Sequence, residues 1–312
     1  MSQMKEQTNK RTLVITGSSG FVGEKLVTLA LAKGFEVIGI DSRKSPVLNC
    51  QQIILDLINE DFNHLIPKGT TVIHLASLST DSSCRENPAL AVDANLKATM
   101  LVLNNAKKAE AEHFIFASSE WVYPEKSEFV EQRETDRLEL TDLNSLYAIS
   151  KLVGESLIRT TCEIPYTLLR FGIIYGPRTL PGSSAESLAL KVFNNEEISV
   201  GSAKTARRFI YVDDLVEGIL RAVEIGASEA NSLPINLAGS ELISLSRVVE
   251  TVNQLLGKSI SIIDGGKQAS IRNPLINLSS EKLAWSPKTN FSTGIQYCID
   301  AMTAKSKPEV EN

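Results

Sequence analysis

The chain has 312 residues, 43% hydrophobic and 22% charged, enough to bury one large core or two smaller ones. Its formal net charge of -5 gives no general attraction for nucleic acid or an anionic membrane, so an anionic ligand must be held by local cations. Cys50, Cys84, Cys162 and Cys298 form no C-x-x-C pair, and His64, His74 and His113 are dispersed, so neither a disulfide framework nor a metal site is indicated. The first ten residues are polar and no apolar run reaches the roughly 18 residues of a membrane span, which makes a cytoplasmic location the expectation.

Residues 12–16 are apolar and rich in β-branched side chains, the composition of a strand buried on both faces. A glycine-punctuated turn follows, then a helical pattern through Phe21, Leu26, Leu29 and Ala30 that stops at Gly34. The second strand, 36–40, is closed by Asp41, and further strand-like runs lie at 52–55, 71–75, 113–117, 166–171 and 234–237. Helical patterns between them, notably 88–110 and 145–160, predict an α/β fold with a doubly wound parallel sheet. Regularity breaks from Gly176 at Pro177, Pro181 and Gly182, and helices are expected at 185–194, 213–225 and 244–256. The tail after Lys305 is polar and expected to fray. A dinucleotide domain over 11–178, to which segments near 208–225 and 234–238 return, fits this pattern. A smaller C-terminal lid would comprise 179–207 and 239–305.

Gly17, Gly20 and Gly23 sit between the first strand and its helix, where a pyrophosphate meets backbone N–H groups and a positive dipole end. Their spacing is G-x-x-G-x-x-G. Asp41, ending the second strand, can accept both ribose hydroxyls of NAD and repel a 2′-phosphate, although Arg43 and Lys44 could tolerate NADP. Tyr147 and Lys151 lie four residues apart, on one face of a predicted helix. The ammonium is expected to pull the phenol below its ordinary pKa of about 10, with a serine hydroxyl sharing the proton relay. Such a set moves a proton and a hydride at an alcohol or ketone carbon.

Over residues 12–295 these features resemble the extended short-chain dehydrogenases/reductases, in their branch of NAD-dependent nucleotide-sugar epimerases and dehydratases. The resemblance is carried by TGSSGFVG (16–23), Asp41, Asp56-Leu57, His74 through Ser77, Asn95, Ser118-Ser119 with Val122-Tyr123, and Tyr147 with Lys151. It continues through Arg170 to Pro177, Arg208 to Asp214, and Trp285-Ser286-Pro287. It implies a Rossmann sheet with a substrate-binding lid, and Ser119, Tyr147 and Lys151 as catalytic residues. For the cofactor, it implies Phe21 and Val22 at the pyrophosphate, Asp56 and Leu57 at the adenine, and Leu75, Ala76 and Ser77 along ribose and phosphate. Ser42, Ala117, Gly172 and Ile173 complete the cofactor's surroundings, Asn95 braces the catalytic loops, and Lys151 also bonds the nicotinamide ribose. Thr80, Ser119, Glu120, Arg208 and Arg272 are the implied substrate contacts, with a salt bridge to Asp213 or Asp214 as the competing role for Arg208. Homodimerisation through the helices at 88–110 and 145–160 is also implied.

Two departures narrow the chemistry. Family dehydratases carry Asp-Glu after the catalytic hydroxyl, whereas Glu120-Trp121 stands here; an indole cannot abstract a proton, and Glu120, one place early, is expected to point elsewhere. Trp121 would wall the sugar pocket or pack as core. Epimerases of the family usually place an asparagine where Ile173 stands, and an apolar side chain cannot grip a sugar diphosphate. The expected function is C4 epimerisation of a nucleotide sugar. The alternatives are an NAD(P)-dependent dehydrogenase or ketoreductase acting on a keto-sugar or small alcohol, and a non-catalytic dinucleotide sensor.

Overall fold

The computed structural model describes residues 11–226 and 233–306, so the polar first ten residues and all but the first residue of the tail expected to fray lie outside the described residues. The chain opens with β1 (Thr12–Thr16), α1 (Phe21–Ala32), β2 (Glu36–Asp41), β3 (Gln51–Ile54) and β4 (Thr71–His74). Next come α2 (Asp81–Glu86), α3 (Pro88–Val92), α4 (Ala98–Lys108), β5 (His113–Ser119), α5 (Leu146–Thr161) and β6 (Tyr166–Phe171). With β7 (Ile173–Tyr175), α6 (Ser184–Phe193), β8 (Ile198–Val200), β9 (Ala206–Arg207), β10 (Phe209–Tyr211), α7 (Val212–Ile225) and β11 (Ile235–Leu237), the chain returns to the main sheet. It ends with β12 (Ile243–Ser244), α8 (Leu245–Leu256), β13 (Ile262–Asp264), α9 (Asn277–Leu283) and α10 (Phe291–Ser306).

The main sheet has seven parallel strands in the order β11-β6-β5-β4-β1-β2-β3. Its order reverses beside β1, so the ends of β1 and β4 border a crevice where a doubly wound sheet receives a ligand. Central strands are apolar on both faces because helices cover both: all of β5 is buried, and Val14 sits in register with Ile38 and Val72. On one face α1 packs with α7 around Leu26, Val27, Leu215 and Ile219, and on the other Val102, Leu103 and Ile158 cover Phe114 and Phe116. A third apolar cluster joins α6, α8 and α10 through Leu188, Val192, Val252 and Ile295.

The run expected as one helix over 88–110 is α3 and α4 joined by a π-helical turn, Asp93–Lys97. Asn95 lies in that wider turn and is buried, a frequent setting for a functional side chain. Of the short strands, β10 falls on the strand-like run after Arg208, and β7, β8, β9, β12 and β13 were not anticipated. Each has two or three residues and pairs in a two-stranded ribbon, too short to leave an alternating pattern in the sequence.

Ser145 caps α5 by accepting from the Ala148 N–H at 3.2 Å, and its own hydroxyl donates to Asp81 at 2.6 Å. Deeper on α5, Glu155 accepts two parallel bonds from Arg170 of β6 at 2.8 Å each, plus the Ser118 hydroxyl at 2.6 Å. Arg170 also donates to the Tyr123 hydroxyl at 3.0 Å, so α5, β5 and β6 share one buried charge network. Removing one partner leaves a desolvated charge. Glu155→Ala is expected to lower unfolding stability by about 3–5 kcal/mol in chemical denaturation, whereas breaking the exposed Lys68–Glu110 pair should change it by less than about 1 kcal/mol.

Candidate active site

The crevice beside β1 is shaped by glycines. Gly17 has φ of 73°, and a Cβ there would lie 2.7 Å from the Ala76 nitrogen; a Cβ on Gly23 would collide with the Gly17 carbonyl oxygen. Gly20 precedes α1 with no side-chain cap, so the helix's first N–H groups, including those of Phe21 and Val22, face outward without a side-chain acceptor. Asp41 ends β2 and accepts the Ser19 N–H at 2.9 Å on one oxygen and the Arg43 N–H at 3.2 Å on the other. Those bonds clasp the carboxylate to the glycine turn while each oxygen keeps lone-pair capacity for a ribose hydroxyl. Arg43 reaches back to the Ser19 carbonyl at 3.1 Å, beside Asp41. Leu75, Ala76 and Ser77 line the next stretch half-buried, Ser42 is exposed, and Asp56 folds into its own turn by accepting from Ile58 and Asn59. Close backbone approach, a free helix N-terminus and a terminal strand acid together fit a dinucleotide.

Ser119 ends β5 with its hydroxyl accepting the Trp121 N–H at 3.2 Å, and it lies beside Tyr147, in the first turn of α5, where it favours the phenolate. One turn on, Lys151 is 3% exposed; its ammonium donates to the Ala117 carbonyl at 2.8 Å and lies 5.8 Å from the centroid of the Tyr147 ring. The three catalytic candidates therefore meet at the C-terminal edge of the sheet. Their electrostatics correct the sequence expectation: burial pushes Tyr147 up to about 12 despite the opposing influence of Ser119, and burial brings Lys151 down to about 8. The ammonium is directed at a carbonyl, and its own desolvation weakens the charge expected to favour the phenolate.

Asn95 is a buried brace rather than a solvent-facing side chain. It accepts the Leu78 N–H at 2.7 Å and donates to the Leu78 carbonyl at 3.1 Å and the Ser150 hydroxyl at 3.0 Å. Ser150 in turn donates to the Tyr147 carbonyl at 2.8 Å, linking the loop after β4 to α5.

Beyond Tyr147 the wall is cationic. Trp121 meets the Tyr147 ring edge-on at 6.1 Å, and the Arg272 guanidinium lies 4.6 Å over the indole. Arg272 donates to the Tyr123 carbonyl at 2.9 Å and pairs with Glu125 at 3.2 Å, leaving its buried Nη1 without a partner. Arg207 shares Glu125 at 3.3 Å and bonds the Ser270 hydroxyl at 2.7 Å. Burial and the neighbouring Arg207 lower Arg272 to about 10, which makes the pair a receptive site for an anion.

Arg207 was missed in the sequence. Phe209, Ile210 and Tyr211 are all buried, so no alternating pattern distinguishes it from Arg208 in the sequence. Arg208 donates instead to Asn273 at 2.7 Å and to the carbonyls of Gly239 and Ser240 at 3.3 and 2.6 Å. Neither Asp213 nor Asp214 is its partner: Asp213 faces Lys25 at 3.6 Å, and Asp214 accepts the Thr289 N–H at 2.8 Å. Glu120 is fully buried 3.6 Å from Arg207, and burial raises its carboxyl to about 7. Thr80 is exposed and caps α2 by accepting the Ser83 N–H at 3.2 Å. Gly172 donates its N–H to the Leu237 carbonyl at 2.9 Å, and Ile173 packs half-buried against the α6–α8–α10 cluster.

A family model described as "NAD dependent epimerase/dehydratase family" matches residues 13–238, and the chain belongs to that family. Among curated relatives, the dTDP-4-dehydro-6-deoxy-D-allose reductase of Streptomyces bikiniensis is 28% identical, over 92% of this chain and 94% of its own length. An uncharacterised UDP-glucose epimerase of Bacillus subtilis (strain 168) is 26% identical, over 91% and 95%. Among solved structures, MoeE5 in complex with UDP-glucuronic acid and NAD superposes with a TM-score of 0.84 at 23% identity, covering 94% of this chain and 99% of that one.

The cradle predicts cofactor choice. NAD should bind at least about tenfold more tightly than NADP, because the second phosphate would sit against the Asp41 carboxylate, and Asp41→Ala should narrow that ratio. Fluorescence titration of both dinucleotides reads it; a preference for NADP would refute the assignment.

Proposed function

We propose that this protein is an NAD-dependent nucleotide-sugar epimerase that inverts C4 through a transient 4-keto sugar. The observation that carries the reading is the convergence of Ser119, Tyr147 and Lys151 between a dinucleotide cradle and a buried arginine pair. Arg207 and Arg272 anchor the diphosphate, and Trp121 walls the sugar against the Tyr147 phenol. Tyr147, with Ser119 relaying, takes the C4 hydroxyl proton; Lys151, fixed to Ala117, holds the helix turn that presents the phenol. Bound NAD supplies the hydride acceptor and donor, and the positive charge of its oxidised ring favours the phenolate that burial disfavours in the chain alone. The keto sugar then turns about its fixed diphosphate, and Tyr147 returns the proton to the carbonyl oxygen.

Residues 179–207 and 239–305 act as the substrate lid in this reading. The enzyme is taken to work as a cytoplasmic homodimer through the α3–α4 and α5 region. Leu90 and Val92 expose apolar surface in that region, and no described helix is long and apolar enough to cross a membrane. A second reading, a reductase of keto-sugars, is favoured by Ile173, which offers no hydrogen bond to a sugar diphosphate, and by the name of the 28%-identical relative.

Incubation with UDP-, dTDP- and GDP-hexoses separates the two readings. An epimerase forms the C4 epimer with no net change at 340 nm, whereas stoichiometric cofactor oxidation or reduction supports the reductase. Tyr147→Phe should lower turnover by about 10²–10⁴-fold while leaving nucleotide-sugar binding in place. Full activity in that variant would end this assignment.

A further inference from the structure

Glu120 is the least satisfied charged side chain in the site. It is 0% exposed, and neither carboxyl oxygen has a hydrogen-bond partner. Its nearest cation, the Arg207 Nε, stands 3.6 Å away, too far for a good hydrogen bond. Glu125, by contrast, is 38% exposed and engages both Arg207 and Arg272. Two arginines thus face two carboxylates, and a sugar diphosphate brings two further negative charges into the same desolvated space. Stacking all that anionic charge together is unfavourable without a compensating cation or proton. Glu120 can relieve it, because once protonated it becomes a neutral donor beside the oxygens that arrive.

We propose that nucleotide-sugar binding is coupled to the uptake of one proton from solvent by the Glu120 carboxyl, which makes Glu120 a pH-sensitive positioning residue of the diphosphate site. This inference rests on the nucleotide-sugar reading. Around Glu120, Arg207, Arg272 and Arg208 favour its ionised form, and burial overrides them to raise the carboxyl to about 7. Glu125 and Asp81 in turn favour the charge on Arg272, and Glu131 favours that on Arg208. The carboxyl is therefore poised to change state near neutrality. A dianion delivered to Arg207 and Arg272 competes for the charges that favour its ionised form.

The sign follows from linkage: a site that gains a proton on binding loses affinity as pH rises above the free carboxyl's pKa. The test uses NAD-loaded Tyr147→Phe protein, which prevents turnover, titrated calorimetrically with UDP-glucose and dTDP-glucose. The diphosphate of either probe does not titrate near neutral pH. In buffers of different ionisation enthalpy at pH 8, close to one proton should be taken up. Affinity should fall toward about tenfold per pH unit above pH 7. Adding Glu120→Gln should abolish the uptake, flatten the pH dependence and leave the double variant the tighter binder at pH 8.5.

Binding without buffer-dependent heat, or uptake that persists in the glutamine variant, overturns the proposal and leaves the nucleotide-sugar reading standing. Failure of both proteins to bind either probe, or GDP-glucose, at any pH overturns both. If the glutamine variant does not fold, the buffer series with Glu120 present still decides.

Discussion

A buried ammonium bonded to a strand-end carbonyl organises this site. Lys151 reaches through the base of α5 to the Ala117 oxygen at 2.8 Å, and that bond sets where the helix stands over the edge of β5. Tyr147, one turn earlier, is carried with it, as is its contact with Ser119 two residues beyond Ala117. Around this point the buried Glu155–Arg170 pair and the Asn95–Ser150 contact fix the same helix from below and from the side. A phenol so placed has little freedom to drift, which suits a group that must face one carbon of a bound sugar.

The chain is negatively charged overall, yet in the proposed reading its crevice would meet anions at two places by different means. At the glycine turn the attraction comes from backbone: a free helix N-terminus and N–H groups exposed by missing side chains. Past Tyr147 it comes from guanidinium groups desolvated beside Trp121. These two places flank Ser119, Tyr147 and Lys151. Arg178 links the halves mechanically, stacking 4.1 Å over Phe21 at the head of α1 while bonded to Glu186 of α6.

The sheet and the cofactor cradle could be read from sequence because their signals are local. Apolar runs such as 12–16 and 113–117, the glycine spacing before Phe21, and Asp41 at a strand end are contiguous features whose geometry follows from short stretches of backbone. The Tyr147–Lys151 spacing was equally plain, but not its electrostatics, since desolvation depends on Phe116, Ala117 and Trp121 arriving from elsewhere in the fold. The cationic wall was the least visible part. Arg207 sits in a two-residue strand, Arg272 in an irregular segment, and Glu120 beside Ser119; the ribbon of β9 and β12 and the bridges from Ala206 and Lys126 to Ile271 help bring them together.

In the proposed reaction the hydride that leaves the sugar's C4 returns to C4, and the proton that leaves its hydroxyl returns to the oxygen, within one enclosed site. A nucleotide sugar deuterated at C4, converted by the NAD-loaded protein in ordinary water, tests this most directly. Mass spectrometry and NMR of the epimer should find the deuterium still at C4, with product formed more slowly than from unlabelled sugar. Epimer whose C4 deuterium has been replaced by solvent hydrogen would contradict the account.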